Sequence, residues 1–289
     1  MKGYFDIVGD GGSQVVEQVK AKHARIAASL AGVRCMLAVG SGKGGVGKST
    51  LTLQIAHALR TGGATVAVLD ADLNGPSQAC MAGLGSAPLV PGPSGLVVPR
   101  TAEGIGVVSM GMIVPESEAL DFESVAQGDT FVWRATREFS LLGDLLAGVA
   151  WGELDFLLVD LPPGTERTLQ YAEFLGPDTV IVLVTIPSDL SRGVVSRSIA
   201  ALAKTSNRLL GYVENMKGYY CAGCGSLRPL FAETGSVSLG IPCLGTVPFD
   251  PELALACDLG EAPRADSPSL TWRAVRDVAE QIRNRLEVS

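Results

Sequence analysis

Long apolar runs are missing from this chain. No window approaches ~18 apolar residues without a charge, so no transmembrane helix is expected. The opening Met1-Lys2-Gly3-Tyr4-Phe5-Asp6 has no apolar core of the signal-peptide type, so no secretory leader is expected. Excess positive charge is missing too. There are 23 Lys and Arg against 30 Asp and Glu, a net charge of -7. Nonspecific nucleic-acid binding needs a basic face, so neither nucleic acid nor membrane is expected as a partner. These absences point to a cytoplasmic location, where thiols stay reduced and six cysteines imply metal or burial rather than disulfides. Histidine is scarce, with only His23 and His57, both remote from the cysteine pair discussed below. No repeat period and no linker demanding two domains is visible.

Against these absences stands ample core material, 47% hydrophobic over 289 residues, and one strong motif. Gly42 to Ser49 fits G-x-x-x-x-G-K-[ST], the phosphate-binding loop. Its flanks agree. Cys35 to Val39 is an apolar segment of strand length, and Leu51 to Leu59 has apolar residues at helical spacing. Glycines let the backbone curl so that successive N–H groups face phosphate oxygens, and the helix N-terminus adds partial positive charge. The nucleotide-binding set is therefore Gly42, Gly44, Gly45, Val46, Gly47, Lys48, Ser49 and Thr50. Lys48 is expected at the β- and γ-phosphates and the Ser49 hydroxyl on Mg2+.

Further strands end in acids. Ala64 to Leu69 runs into Asp70-Ala71-Asp72, and Phe156 to Val159 runs into Asp160 and then Leu161-Pro162-Pro163-Gly164-Thr165. Ligands of open α/β sheets bind at the C-terminal ends of strands, which suits these carboxylates to Mg2+ and the attacking water. A helix-capping pair at Asp70 and Asp72, with Asp72 as N-cap, is the alternative. Other expected strands are Ile105 to Met110, Thr179 to Thr185, Leu209 to Asn215 and Ile241 to Pro248. Helices are expected over Val15 to Leu30, Phe131 to Ala150, Ser191 to Thr205 and Leu270 to Leu286, with a loop or hairpin over 83–104 and an acidic insertion from Glu116 to Asp129. The terminal helix mixes acids and bases, so it reads as docked rather than membrane-bound. The alternation predicts an α/β P-loop NTPase with a mostly parallel, doubly wound sheet and helices on both faces. Residues 1–32 form an N-terminal helical extension and 33–289 the ATPase domain.

Cys221 and Cys224 form a C-x-x-C-G turn within a loop near 216–226. Two thiolates at this spacing suit zinc, an iron–sulfur cluster or a dithiol redox pair. One chain supplies only half of a closed site, and a symmetric dimer supplies the rest. Cys35, Cys80, Cys243 and Cys257 read as small core residues.

The extra lysine Lys43, giving K-G-G-x-G-K-S, resembles the deviant phosphate loop of the MinD/ParA/nitrogenase-iron-protein ATPases. Asp70-Ala71-Asp72 with Asn74-Gly75-Pro76-Ser77, the D-L-P-P-G-T segment from Asp160, Glu214-Asn215-Met216 and Cys221 to Gly225 together resemble the Mrp/ApbC iron–sulfur cluster carriers, over residues 35–265. The resemblance implies a homodimer that sandwiches ATP, hydrolyses it to ADP, and bridges one 4Fe–4S cluster between Cys221 and Cys224 of both subunits for transfer to apo-proteins. It implies Lys43, Lys48 and Asp72 as catalytic residues, Lys43 acting on the partner's nucleotide. Ser49, Asp70 and Asp160 would serve Mg2+, and Asn215, Pro248 and Asp250 would join the nucleotide set. Two departures stand out. Glu166-Arg167 replaces the usual Gly-Asp, and Val132-Trp133-Arg134-Ala135-Thr136 replaces V-W-R-G-P. The competing functions are a MinD/ParA-like positioning ATPase and a nucleotide-gated zinc-binding dimer.

Overall fold

A computed structural model of the chain describes residues 15–73, 75–85, 87–109, 112, 130–221, 226–231, 239–263, 267 and 269–287. Asn74, Cys224 and the acidic stretch 116–129 lie outside these residues. Eight strands share one sheet: β1 Met36–Ser41, β2 Val66–Asp70, β5 Gly106–Val108, β6 Phe156–Asp160, β7 Val180–Thr185, β8 Arg208–Cys221, β9 Ser226–Arg228 and β10 Cys243–Phe249. Their order is β10-β8-β7-β1-β6-β2-β5 with every pair parallel, and β9 adds antiparallel to β8. The loop at 83–104 contains the hairpin of β3 Val90–Gly92 and β4 Gly95–Val97. This is the parallel α/β sheet that the sequence pattern predicts.

Central strands are apolar on both sides because both faces are covered. Side chains alternate across β1: Leu37 and Val39 enter one core, and Ala38 enters the other. The first core receives α2 Lys48–Thr61 and α8 Leu270–Glu287, the second α4 Thr130–Gly148, α5 Thr165–Leu175 and α6 Asp189–Leu202. The apolar stripe of α8, including Trp272, Val275, Val278, Ala279 and Ile282, is buried, so the helix is docked as its mixed charge suggests. No helix among the described residues is long and apolar enough to cross a membrane. The N-terminal helix α1 Val15–Ser29 lies on α4, held by Lys22 Nζ at 2.9 Å from Asp144 and 2.7 Å from the Ser140 carbonyl.

Three helices escape the sequence pattern, the short α3 Gln78–Met81, α5 and α7 Pro251–Leu259. The start of α7 is nonetheless written in the chain. Asp250 Oδ1 accepts from the N–H groups of Glu252 and Leu253 at 3.0 and 3.4 Å, and Pro251 occupies the first turn. The expectation for the remaining cysteines needs correction. Cys257 is buried and Cys35 half-buried, but Cys80 and Cys243 are exposed. Small-residue surroundings in sequence do not specify which face of the element a thiol takes.

The Glu166-Arg167 departure has a structural role. Arg167 pairs with Glu138 of α4, whose carboxylate is only 2% exposed. The same guanidinium stands 5.4 Å from the Tyr171 ring centroid, and Tyr171 donates to the Ala71 carbonyl at 3.3 Å. Phe139 stacks on Tyr171 with centroids 4.9 Å apart. An Asp at 167, as in the resembled family, would put a second carboxylate against Glu138. The chain between Asp70 and Asp72 therefore rests on a buttress of α4 and α5 centred on Arg167.

Two outcomes follow from this packing. Arg167→Met removes the guanidinium paired with the buried Glu138 carboxylate, and should cost about 3–5 kcal/mol in urea unfolding. Adding Glu138→Gln should recover most of the loss, a coupling read by the double-mutant cycle. His57 is 5% exposed in α2, and burial pushes its pKa below 6.5 despite the opposing Glu103 carboxylate. The unfolded chain then binds the proton more readily than the native state. This stabilisation is complete above pH 6.5 and is lost as pH falls below it. His57→Gln should flatten the acid limb of the stability profile, measured as the difference from the natural protein at each pH.

Candidate functional site

The phosphate loop leaves β1 at Ser41 and enters α2 at Lys48. Gly47 has φ +77°, and a Cβ there would meet Asn215 Nδ2 at 2.4 Å. That position combines a left-handed backbone with close approach of another strand, so a side chain is excluded twice over. Asn215, at the sheet end of β8, donates from Nδ2 to the Val46 carbonyl at 2.9 Å. The segment after β6 closes the other side. Gly164 N–H donates to the Ser41 carbonyl at 2.8 Å, and Pro163 lies beside Gly44.

Parallel pairing sets Asp70 of β2 directly opposite Asp160 of β6, both fully buried. Lys48 Nζ lies 2.5 Å from Asp160 Oδ1 and donates to Ser49 Oγ at 3.2 Å. Thr52 Oγ1 is 3.2 Å from the same Asp160 oxygen. Gln78 Nε2 donates to Asp160 Oδ2 and to the Ser49 carbonyl, each at 2.9 Å. Asp70 accepts from the N–H groups of Ser77, Gln78 and Asp72 at 2.8, 3.0 and 3.1 Å, and from Ser109 Oγ at 3.1 Å. Asp70, not Asp72, thus takes the amides that open the short helix α3 Gln78–Met81.

The Asp70 carboxyl is pushed up to about 7, first by burial and then by the Asp160 charge, against the pull of those three amides. Two carboxylates with one ammonium, on Asp160, carry uncompensated negative charge. Hard oxygen donors from Ser49, Asp70 and Asp160 and this surplus charge fit a divalent cation such as Mg2+. The buried Gln78 Oε1, which has no hydrogen-bond partner among the described residues, is a further polar group left for an incoming donor.

The structure thus gathers Gly42 to Ser49, Asp70, Asp160 and Asn215 in one place, with Asp72 on the adjoining loop. Lys43 is half-buried and forms no ion pair within 4.0 Å among the described residues, while its carbonyl accepts from Ser41 Oγ. Thr50 Oγ1 faces Met81 Sδ at 4.0 Å. Pro248 follows Val247, which pairs with Asn215. The Asp250 carboxylate is committed to the α7 cap and, at 2.8 Å, to Ser269 Oγ. The backbone of Cys221 pairs with that of Ser226, and Cys224, between them in sequence, lies outside the described residues. Sequence reasoning passed over Gln78, Thr52 and Ser109. Only Thr52 had a signal, standing four residues after Lys48 on the same helix face.

Comparison with known proteins agrees with this geometry. The family model described as ParA, NUBPL iron-transfer P-loop NTPase, matches residues 32–283. The cytosolic Fe-S cluster assembly factor NUBP2 of Gallus gallus is 37% identical over 264 residues, covering 88% of this chain and 93% of that protein. An iron-sulfur cluster carrier protein of Deinococcus radiodurans is 36% identical, covering 90% of this chain and 72% of its own length. A nucleotide-binding protein from Archaeoglobus fulgidus, solved in complex with ADP, superposes with a TM-score of 0.70 at 32% identity, covering 86% of this chain and 95% of that one. A nucleotide-binding loop, two acids in register beside it and a matching family over most of the chain lead to one statement: this chain belongs to the ParA-type NUBPL iron-transfer P-loop NTPases.

Proposed function

We propose that this NTPase is an ATP-hydrolysing carrier that holds a 4Fe–4S cluster between two copies of itself and passes it to apo-proteins. One observation carries the reading. Strand β8 touches the phosphate loop through Asn215 and, six residues later, reaches Cys221. A shift at the nucleotide therefore has a rigid route to the cysteine pair. The relatives named as cluster carriers and as a cytosolic assembly factor support the cargo and a cytoplasmic location. The cargo needs more thiolates than Cys221 and Cys224 of one chain supply, which supports a homodimer with the two hairpins facing each other.

In this reading Lys48 exchanges its contact with Asp160 for the β- and γ-phosphate oxygens. The amides of Gly44 to Ser49 hold the phosphate chain, and Asn215 lies where the base arrives. Ser49, Asp70 and Asp160 would hold Mg2+, which when bound neutralises charge on the phosphates. Asp70 would meet the cation as a carboxylate, and Asp72 beside it would orient the attacking water. Lys43, without an ion pair of its own among the described residues, supplies charge to the partner's nucleotide. A positioning ATPase of the MinD/ParA kind has no use for the cysteine pair.

Anaerobic reconstitution with iron and sulfide should give a brown dimer with visible charge-transfer absorption and about four irons per dimer, as one cubane cluster requires. Cys221→Ala should abolish the colour and keep nucleotide binding. Lys48→Gln, which preserves length beside Asp160, should abolish ATP hydrolysis and still load the cluster. A colourless dimer with stoichiometric zinc would sink the cluster assignment, and ATP-dependent binding to vesicles or DNA without cluster loading would favour the positioning ATPase.

A further inference from the structure

Gln78 is a buried amide with an incomplete set of partners. It is 0% exposed, yet only half of its side chain is satisfied. The Nε2 group spends both hydrogens on acceptors, the Ser49 carbonyl and Asp160 Oδ2. Neither acceptor can donate, so the amide cannot be turned over to serve them through oxygen. Its Oε1 is therefore held as a buried acceptor with no donor among the described residues. Leaving such a group unpaired is unfavourable, and a ligand that donates to it removes that cost. The backbone N–H of the same residue donates to Asp70 Oδ2. One residue thus contacts both acids that fit the cation, Asp160 and Asp70, and the main chain of Ser49, whose hydroxyl is the third group.

We propose that Gln78 is a positioning residue for magnesium in the nucleotide site, its Oε1 accepting from water that enters with the cation. The inference rests on the magnesium–nucleotide reading above and adds a residue to it. The side chain aligns the Asp160 carboxylate from one side while its backbone aligns Asp70 from another. Cation binding then also draws in the segment that follows Asp70 and Asp72. Without the amide, the two carboxylates keep their places in the sheet but lose the group that orients them together.

The test is calorimetric titration of ADP with and without Mg2+, on the natural protein and on Gln78→Met. Gln78→Leu serves as a second variant. In the natural protein Mg2+ should tighten ADP binding. Gln78→Met should lose roughly 10–100-fold of that gain, the usual cost of removing a partner of a metal ligand, and should weaken ADP binding in EDTA by much less. A variant that keeps the full gain overturns the proposal. So does equal weakening with and without Mg2+, which marks a packing role. Absence of any gain in the natural protein overturns the magnesium reading together with this one. In the natural protein, the side-chain amide signal of Gln78 should also move in NMR spectra when Mg2+ is added to the ADP complex. A signal that stays in place overturns the proposal without recourse to a variant.

Discussion

Two carboxylates fixed opposite each other in neighbouring parallel strands are the constraint on which the site depends. Asp70 and Asp160 are paired by the sheet register, so the backbone hydrogen bonds hold them together whatever their charge. Burial raises the Asp70 pKa, and repulsion from the Asp160 charge raises it further. Every polar group around them answers that repulsion. Lys48 supplies the one ammonium in contact with Asp160, Gln78 and Thr52 complete that carboxylate, and three backbone amides and Ser109 surround Asp70. The arrangement leaves surplus negative charge, which fits a dication.

The second constraint is mechanical. The loop carrying the acids is backed by Tyr171, which is itself held between Phe139 and the Arg167 guanidinium. Arg167 is tied in turn to Glu138, midway along α4. Glu166-Arg167 is the point where this chain leaves the pattern it resembles, and the departure is absorbed by a matching buried acid rather than left at the surface. The segment after Asp160 is consequently anchored to α4 as well as to the phosphate loop through Gly164.

At the far side of the sheet, β8 is longer than any other strand. It begins beside β7, passes Asn215 at the phosphate loop, and continues out of the parallel sheet to pair with β9. Met216, just after Asn215, has φ +54°, the one positive φ among described residues other than glycine. The strand turns there from the nucleotide site toward the cysteine hairpin. Backbone held in a sparsely populated region at that junction is the sort of local strain that surrounding contacts must maintain.

The sequence by itself determined the nucleotide-binding architecture. A phosphate loop between an apolar strand and a helix, and acids closing two further strands, are local patterns, and local patterns specify strand, turn and helix through short-range sterics and hydrogen bonding. The start of α7 was equally legible in Asp250-Pro251-Glu252. What the tertiary structure decided were the pairings across long separations. Asn215 meets Val46 across 169 residues, and Gln78 meets Asp160 across 82. Arg167 finds Glu138, Cys80 and Cys243 turn outward, and the Asp250 carboxylate goes to a helix cap and Ser269. Crossover connections in a parallel sheet bring strand ends together from distant parts of the chain, and no spacing rule within the sequence records which side chains will then face one another.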